Sequence, residues 1–321
     1  MNITLRQLKV FESVARHLSF TRAAEELYLT QPAVSMQIKQ LEQQIGLPLF
    51  EQIGKRIYLT EAGNEVRRYA QRIATELIEL SDGLEALRGL NSGRLRLTVA
   101  STANYFATDL LATFTRRQPG ITFQLEVTNR EGVIRRIQDN EMDLAVMGKP
   151  PEGLDVVAEP FMPNPLVVIA SPDHPLASGE QIPLERLQDE IFVLRETGSG
   201  TRNTVERFLE QRGLTLRGGL QMSSNEAIKQ SVQAGLGLGV VSIHTVALEL
   251  ELGRLSILNV EGFPLERHWY LVHRAGKRLS PAADAFRRFI IEEAHQHWRP
   301  PQNNAAVEPP QQSPGLAATG G

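Results

Sequence analysis

The spacing of apolar residues through the first 45 positions predicts three short helices. Apolar positions recur every three or four residues from Leu8 to Leu18, and Ser19 is a residue type that caps helices, so a second helix is expected after it. The start of a third helix is marked by Thr30, a cap residue, and by Pro32 in the first helical turn, where the missing N–H of proline costs nothing.

The third helix has two contrasting faces. Its apolar face consists of Val34, Ile38, Leu41 and Ile45, which fall within a narrow stripe at about 100° per residue. Its opposite face consists of Pro32, Ser35, Met36, Lys39, Gln40 and Gln43. Gly46 ends the helix, and the strand-like runs 49–53 and 57–60 predict a hairpin with its turn at 54–56.

Residues 61–89 carry a longer apolar repeat. Its members are separated alternately by four and three residues and are Val66, Ala70, Ile73, Leu77, Leu80, Leu84 and Leu87. One helix alone cannot bury such a heptad seam, which favours a dimer formed by this helix. Packing of the seam against the same chain is the alternative that the pattern leaves open.

Strand-like and helix-like runs alternate after a polar break at 89–93. The strand-like runs are 95–100, 121–128, 143–147, 166–170, 191–194, 238–242 and 269–273. The helix-like runs are 106–117, 132–140, 202–212, 224–234 and 281–298. This alternation predicts an α/β fold with parallel sheets, outer helices and ligands beyond the carboxyl ends of the strands. From Arg299 onwards, prolines among Gln, Asn, Ala and Gly predict a disordered tail.

The composition excludes several classes of protein. The 321 residues are 41% hydrophobic and 22% charged, values of a soluble globular chain. The sequence shows neither an apolar run long enough for a membrane helix nor a secretory signal, so a cytoplasmic protein is expected. With 0 cysteines, disulfides, thiolate metal sites and cysteine nucleophiles are excluded, and no cofactor is predicted.

The net charge of −3 hides an uneven distribution. Residues 1–60 hold seven Lys and Arg against five Glu, and the remainder is acidic. A short helix, a turn and a helix with amide, hydroxyl and basic side chains on its outer face suit the DNA major groove. Lys55 and Arg56 would lie along the backbone as a wing. A three-helix module with a solvated polar face is the alternative.

A second candidate site follows the run 191–194. Gly198 and Gly200 permit a turn in which backbone N–H groups converge at the start of a helix, and Ser199, Thr201 and Arg202 add side-chain donors. This arrangement suits a carboxylate or a phosphate. A glycine turn with a satisfied cap is the alternative.

A similar arrangement is expected where the runs 95–100, 121–128 and 143–147 end. If these strands are parallel, their carboxyl ends meet at one edge of the sheet. The predicted effector-binding residues of both places are Ser101, Thr102, Asn104, Thr128, Asn129, Lys149, Thr197, Ser199, Gly200, Thr201 and Arg202. For Lys149, simple solvation is the alternative.

Two glycine motifs do not indicate an enzyme. Gly198-Ser199-Gly200 lacks the spacing of a nucleophile elbow. Gly235-Leu236-Gly237-Leu238-Gly239 follows a helix and precedes a strand, the reverse of a nucleotide-binding fingerprint. His295 and His297 lie near the end of the last helix-like run without a carboxylate at metal-site spacing. We therefore expect no catalytic residue and no metal site.

Several segments closely resemble the N-terminal signature of LysR-type transcriptional regulators. They are 11–27, 30–35, 41–42, 46–50 and 59–63. The heptad helix and the α/β remainder match the layout of that family to about residue 298. The segments 4–20, 31–42, 50–55, 143–151 and 195–202 are most similar to the subgroup that regulates Calvin-cycle (RuBisCO) operons.

The resemblance implies an N-terminal winged helix-turn-helix, a dimerising linker helix and a two-lobed α/β effector domain like the periplasmic binding proteins. The implied bounds are 1–60, 61–90 and 93–298, with lobe I at 93–162 and 267–298, lobe II at 163–266, and a tail at 299–321. The residues expected at DNA are Ser19, Thr21, Arg22, Thr30, Gln31, Pro32, Ser35, Met36, Lys39, Gln40, Lys55 and Arg56.

The implied function is activation of carbon-fixation genes in response to a phosphorylated or carboxylated metabolite that bridges the lobes. The implied partners are promoter DNA, RNA polymerase and copies of the same chain in a dimer of dimers, with no membrane. A regulator of another operon is the alternative within the family. A solute-binding protein or an enzyme on the same two-lobed body is the alternative outside it, although residues 1–65 have no role in either.

Overall fold

The computed structural model describes residues 2–54, 56–87, 93–178 and 180–296, which divide into two compact units. The first unit runs to Met162 and includes Trp269–His295, and the second contains Pro163–His268. The polar break before residue 93 and the tail at 299–321 lie wholly or largely outside the described residues.

The N-terminal domain consists of three helices and a hairpin, as predicted. The elements are α1 (Leu5–His17), α2 (Phe20–Glu26), α3 (Gln31–Ile45), β1 (Phe50–Ile53) and β2 (Arg56–Leu59). Phe11, Val14, Val34, Leu41 and Leu49 are fully buried in the core that the helices and hairpin share. The helix α4 (Glu61–Leu87) follows as one uninterrupted element.

The rest of the first unit is an α/β lobe. Its elements are β3 (Gly93–Ala100), α5 (Asn104–Arg117), β4 (Ile121–Thr128), α6 (Arg130–Gln138), β5 (Leu144–Met147), β6 (Val156–Pro163), β12 (His268–Arg274) and α10 (Pro281–Glu293). The strand order is β4-β3-β5-β12-β6. β3 is parallel to both β4 and β5, so the carboxyl ends of these three strands meet at one edge.

The second unit is another α/β lobe. Its elements are β7 (Leu166–Ala170), β8 (Ile191–Arg195), α7 (Gly200–Glu210), β9 (Arg217–Met222), α8 (Asn225–Gln233), β10 (Leu238–Ser242), α9 (Ala247–Glu251) and β11 (Ser256–Ile257). The strand order is β11-β7-β10-β8-β9. Along β7, alternate residues belong to two different core clusters, so helices cover both faces of the sheet.

The prediction of parallel sheets is confirmed only in part, because both sheets combine parallel and antiparallel pairs. β12 is antiparallel to β5, and β7 is antiparallel to β10 and β11. A parallel neighbour requires a long crossover, usually a helix on the face of the sheet. Within the described residues, no such crossover helix leads directly into either antiparallel strand. β12 enters its sheet after the chain has passed through the second unit, and β7 is the first strand of its own sheet.

Candidate functional site

The outer face of α3 is exposed along the helix. Thr30 caps its start, with Oγ1 accepting a hydrogen bond from the N–H of Ala33 at 3.4 Å. Val34, Ile38 and Leu41 are buried on the inner face. The exposed residues are Gln31, Pro32, Ser35, Met36, Lys39 and Gln40, which are the predicted DNA-contacting residues of this helix. The buried stripe therefore determines which side chains point outward.

The exposed side chains of α3 are available to a ligand. Within the described part of the chain, the side chains of Gln31, Ser35, Lys39 and Gln40 make no hydrogen bond or ion pair. Met36 is 55% exposed although it is apolar. Amide and hydroxyl groups that have no partner in the protein can pair with base edges, and an exposed methionine can contact the methyl group of thymine.

The helix α2 and the following turn bring further predicted residues to the surface. Ser19 caps α2 by accepting a hydrogen bond from the N–H of Arg22 at 3.3 Å, so its hydroxyl already has a structural role. Thr21 and Arg22 are exposed. Tyr28, in the turn before α3, has a left-handed backbone (φ 53°) and is 96% exposed. The sequence interpretation identified this turn but missed the aromatic side chain that it presents.

The hairpin after α3 carries the predicted wing. β1 and β2 are antiparallel, with Ile53 opposite Arg56 at the turn. Gly54 has a φ of 65°, a conformation that a glycine adopts without strain. Arg56 is exposed, whereas Lys55 lies outside the described residues.

A charge cluster joins α1 to α2. Arg16 donates two hydrogen bonds to the Glu26 carboxylate at 2.6 and 2.7 Å, and the Ser13 hydroxyl donates a third at 2.8 Å. These hydrogen bonds, that of Arg16 above all, lower the pKa of Glu26 to about 2. Because α2 precedes the turn that leads into α3, this cluster helps to hold the exposed face of α3 in position.

The heptad seam of α4 has two parts. Ala70 is buried and Val66 is partly buried against the core of the N-terminal domain. Ile73, Leu77, Leu80 and Leu84 are exposed in the single chain, and the side chain of Leu87 is outside the described set. The start of the seam thus packs on its own chain, and the later part leaves an apolar stripe uncovered.

A buried polar cluster attaches α4 to the first lobe. Arg96 on β3 donates to Asp143 at 2.6 Å and to the Thr75 hydroxyl of α4 at 3.3 Å. Lys277 forms an ion pair with Asp143 at 3.2 Å. Burial, the largest influence, raises the pKa of Asp143, but the hydrogen bonds and charge of Arg96, together with Lys277, outweigh it and lower the pKa overall. Asp143 is therefore ionised and links three segments of the unit.

The predicted residues of the first lobe do lie at one edge of its sheet. Ser101, Thr102 and Asn104 follow β3. Thr128 ends β4 and Asn129 follows it, and Lys149 follows β5. The N–H of Ser101 donates to the carbonyl of Thr128 at 2.8 Å, which holds the first two ends together. The Asn129 side chain caps α6, accepting from the N–H of Gly132 at 2.9 Å, and is thus already occupied. Lys149 is exposed.

The turn between β8 and α7 takes its bend at Gly198, whereas Gly200 is already the first residue of the helix. Gly198 has a φ of 85°, and Ser199 occupies the cap position of α7 with an extended backbone. Thr197 is exposed. The Ser199 side chain accepts no hydrogen bond from the first turn of the helix, so the N–H groups of Gly200, Thr201 and Arg202 have no side-chain cap.

Two buried residues with hydroxyl groups lie at these amides. Ser199 is 3% exposed and Thr201 is 5% exposed, and the hydroxyl of neither has a hydrogen-bond partner among the described residues. Neither hydroxyl oxygen is among the fully buried atoms without a partner, so both remain open to solvent or to a ligand. Arg202, by contrast, is already engaged, because it donates to Glu206 at 2.7 Å and to Gln221 at 3.0 Å. The uncapped amides and the two hydroxyls leave this turn with hydrogen-bonding capacity that suits an anion.

The starts of the lobe helices differ in their caps. Side chains of Asn129, Ser224 and Ser280 cap α6, α8 and α10. The starts of α5, α7 and α9 have no side-chain cap, and the sequence predicts effector binding at the first two of these. Free amides at the positive end of a helix favour an anionic ligand.

The described residues contain no group of three histidine or acidic side chains arranged to hold a metal ion. Nor do they include a helix long and apolar enough to cross a membrane.

Comparison with known proteins gives two family matches. Residues 5–64 match the model of the bacterial regulatory helix-turn-helix protein, lysR family. Residues 88–295 match the LysR substrate binding domain. A "RuBisCO operon transcriptional regulator" from Allochromatium vinosum is 59% identical over 294 residues, which are 92% of this chain and 97% of the relative.

Solved structures agree with these matches. The regulatory domain of CcmR from Synechocystis PCC6803, in complex with 2-PG, is 44% identical, with a TM-score of 0.61, over 62% of this chain and 96% of the other. Full-length CbnR with its target DNA has a TM-score of 0.68 at 20% identity, over 90% and 99% of the two chains. The second likeness supports the fold, from the helix-turn-helix to the two lobes.

Proposed function

Since the chain belongs to the LysR family of bacterial transcriptional regulators, we propose that it controls a carbon-fixation (RuBisCO) operon by binding promoter DNA. In this proposal it activates transcription in response to an anionic metabolite and has no catalytic role. The observation that carries the DNA-binding part is the exposed, unpartnered polar face of α3 opposite a fully buried stripe.

The proposed DNA contacts divide into two kinds. Side chains of Gln31, Ser35, Met36 and Gln40 face base edges and supply discrimination. Basic and capping residues contact phosphates and supply most of the affinity, and they are Ser19, Thr21, Arg22, Thr30, Lys39, Lys55 and Arg56. Pro32 fixes the start of the helix between the two sets. We add the exposed ring of Tyr28 as a contact beside the start of α3.

The exposed part of the α4 seam supports self-association. Ile73, Leu77, Leu80 and Leu84 form an apolar stripe that a second α4 would cover by heptad packing. Two N-terminal domains joined in this way match a two-fold operator. We propose that two such dimers form a tetramer and that it acts on RNA polymerase at the promoter.

The effector is proposed to be a small phosphorylated or carboxylated metabolite. Support comes from the uncapped start of α7, with the unpartnered hydroxyls of the buried residues Ser199 and Thr201, and from the relative whose domain was solved with 2-PG (2-phosphoglycolate). Ser101, Thr102, Asn104 and Lys149 are the proposed contacts in the first lobe. An effector acts by binding one conformation more tightly than another, which shifts the population that bends or releases DNA.

A mobility-shift experiment tests the proposal. The full chain is titrated onto the intergenic DNA upstream of its own gene and onto random DNA of equal length, at several salt concentrations and with or without 2-phosphoglycolate. We expect tighter binding to the upstream DNA, an affinity that falls steeply with salt, and a change of the complex with the metabolite. Equal affinity for both DNAs would contradict the DNA-binding role, and no response to the metabolite would contradict the effector class.

A further inference from the structure

A cavity of about 490 Å³ in the first unit lies between α4 and α6. Its lining includes four arginines, Arg67 and Arg68 from α4 and Arg135 and Arg136 from α6, against two carboxylates, Asp139 and Glu141. A volume of this size is typical of sites for small molecules. The excess of arginine favours an anion, since the planar guanidinium matches phosphate and carboxylate oxygens.

The arginines of this cavity fall into two classes. Arg136 is neutralised by Glu126 at 3.0 Å and by Glu141 at 2.9 Å, and Arg68 is paired with Glu65. Arg67 and Arg135 form no ion pair or hydrogen bond through their side chains with any residue in the described ranges. Two unmatched guanidinium groups thus face the cavity from opposite helices.

Arg67 gives the stronger sign that a ligand is missing. Its Nε atom is buried and has no hydrogen-bond partner in the described part of the chain. A buried donor without a partner is costly, and such a donor requires an explanation such as an ion or a ligand. Asp139 is the only lining carboxylate outside the pairs described above, so it does not neutralise both arginines.

Two contacts hold residues that line the cavity in place. Glu141 accepts a hydrogen bond from Gln71 at 3.2 Å, which joins α4 to the end of α6 and fixes the distance between the two helices. Gly132 lies against Thr128, and a Cβ atom at that position would collide with the Thr128 hydroxyl. Both residues line the cavity, so glycine at 132 allows its wall to pack closely at this point.

We propose that this cavity is a second effector site, distinct from the start of α7, and that it binds a small phosphomonoester through Arg67 and Arg135. Because Arg67 belongs to the helix that leaves the N-terminal domain and Arg135 to the first lobe, one bound phosphate cross-links the two. Occupancy therefore stabilises α4 in its present position on the lobe and acts on the DNA-binding part without passing through the second unit.

Calorimetry on the full chain tests the proposal with 2-phosphoglycolate and inorganic phosphate as probes. Arg135→Ala removes an exposed guanidinium that has no partner among the described residues, so the thermal stability without probe is expected to stay unchanged. Arg67→Met removes a buried donor without a partner, so the thermal stability without probe is expected to stay unchanged or to rise slightly. Each is expected to weaken the binding of both probes at this cavity by about tenfold or more, because a charged hydrogen-bond donor is lost. Binding at the start of α7 is expected to stay unchanged. Arg116→Ala, an exposed arginine on α5, is the matched control and is expected to bind both probes like the parent.

Hydrogen exchange locates the binding and separates the outcomes. Protection by the probe at 61–76 and 130–141, lost in Arg135→Ala, supports the site. Identical isotherms for Arg135→Ala and Arg116→Ala, or protection confined to 196–206, would overturn it. Weaker DNA binding by Arg135→Ala in phosphate-free buffer, with unchanged probe binding, would assign these arginines to DNA phosphates and would overturn it as well.

Discussion

The outer face of α3 and the start of α7 present polar groups in opposite ways. On α3 the candidate side chains are exposed and the apolar residues behind them are buried. At the start of α7 the candidate residues Ser199 and Thr201 are themselves buried, beside amides that have no side-chain cap. The two regions offer similar chemistry, unpartnered hydrogen-bonding groups, at opposite degrees of exposure.

The difference follows from the size of the partner. A DNA duplex is large and rigid, so a protein reads it with side chains that project from the surface. A small metabolite can be surrounded, and donors shielded from water bind its charge more strongly. Exposure on α3 and burial at α7 are thus what a regulator with these two ligands requires.

The largest expected effect comes from filling the exposed face of α3. Ser35→Arg places a long side chain where the helix approaches the bases. We expect affinity for the specific operator to fall about 100-fold, while affinity for random DNA is retained because the added charge still attracts phosphates. Mobility shifts on both DNAs measure the two affinities.

The control for this change is Ser178→Arg, the same substitution at an exposed position of the second unit. It is expected to leave both affinities within about twofold, since its charge lies outside the N-terminal domain. An equal loss on operator and random DNA in Ser35→Arg would show that this face does not read bases.

The next largest effect is the pH dependence of stability that the buried His244 gives to the second unit. Burial lowers the pKa of His244 to about 4, although the Pro163 carbonyl, 2.8 Å from Nε2, opposes the shift. The unfolded chain binds a proton near pH 6.5 and the folded chain does not, so stability is lost as the pH falls from about 6.5 towards 4. We expect about 2 kcal/mol less unfolding free energy at pH 5 than at pH 7.5.

Hydrogen exchange of the β10 amides at the two pH values, corrected for intrinsic rates, measures this loss. His244→Gln is expected to reduce the pH dependence, and the exposed His268→Gln to preserve it. If both variants kept the full dependence, the loss would come from other groups.

A pair of threonine substitutions tests the start of α7. Thr201→Val keeps the shape of the side chain and removes a hydroxyl that has no partner in the described structure. We expect unchanged or slightly higher stability and about tenfold weaker binding of 2-phosphoglycolate. Thr204→Val removes a hydroxyl that donates to the Gly200 carbonyl at 2.8 Å, so it is expected to lower stability by about 1 kcal/mol and to keep the affinity.

Thermal unfolding and calorimetry of both variants measure these two quantities. We expect Thr201→Val to change the affinity and not to lower the stability, and Thr204→Val to lower the stability and not to change the affinity. A Thr201→Val protein that binds the metabolite like the parent would remove this turn from the effector site.

The smallest expected effect is on stability and concerns Glu26 of α2, in the N-terminal domain that carries the exposed face of α3. The pKa of Glu26 is lowered to about 2, so its interactions with Arg16 and Ser13 stabilise the fold above about pH 4.5 and are lost as the pH falls towards 2. Because the group is largely solvated, we expect Glu26→Gln to cost about 1 kcal/mol at pH 7. Urea unfolding at pH 7 and pH 3 checks this, and a difference from the parent as large at pH 3 would contradict it.

The N-terminal domain was predictable from the sequence because its determinants are local. Caps at Ser19 and Thr30 and a single buried stripe on α3 determine helix starts and exposed faces within a few residues of chain. Strands β7 and β10 were also predicted at their observed bounds, since each is a short, fully buried apolar run.

Other features depend on contacts that the chain makes over long distances. β9 was missed because its residues, Arg217–Met222, are mostly exposed and include two glycines, so no alternation marks it. The engagement of Arg202 by Glu206 and Gln221, and the capping role of Asn129, appear only when partners are known. The arginine cavity joins residues about 70 positions apart, and the sequence analysis did not detect it.

Mapping the DNA that the protein occupies in cells tests the central claim most directly. We predict occupancy upstream of a carbon-fixation operon, at sites with two-fold symmetry, and loss of that occupancy in a strain whose chain carries Ser35→Arg. Occupancy confined to other operons, or sites that Ser35→Arg leaves unchanged, would contradict the account.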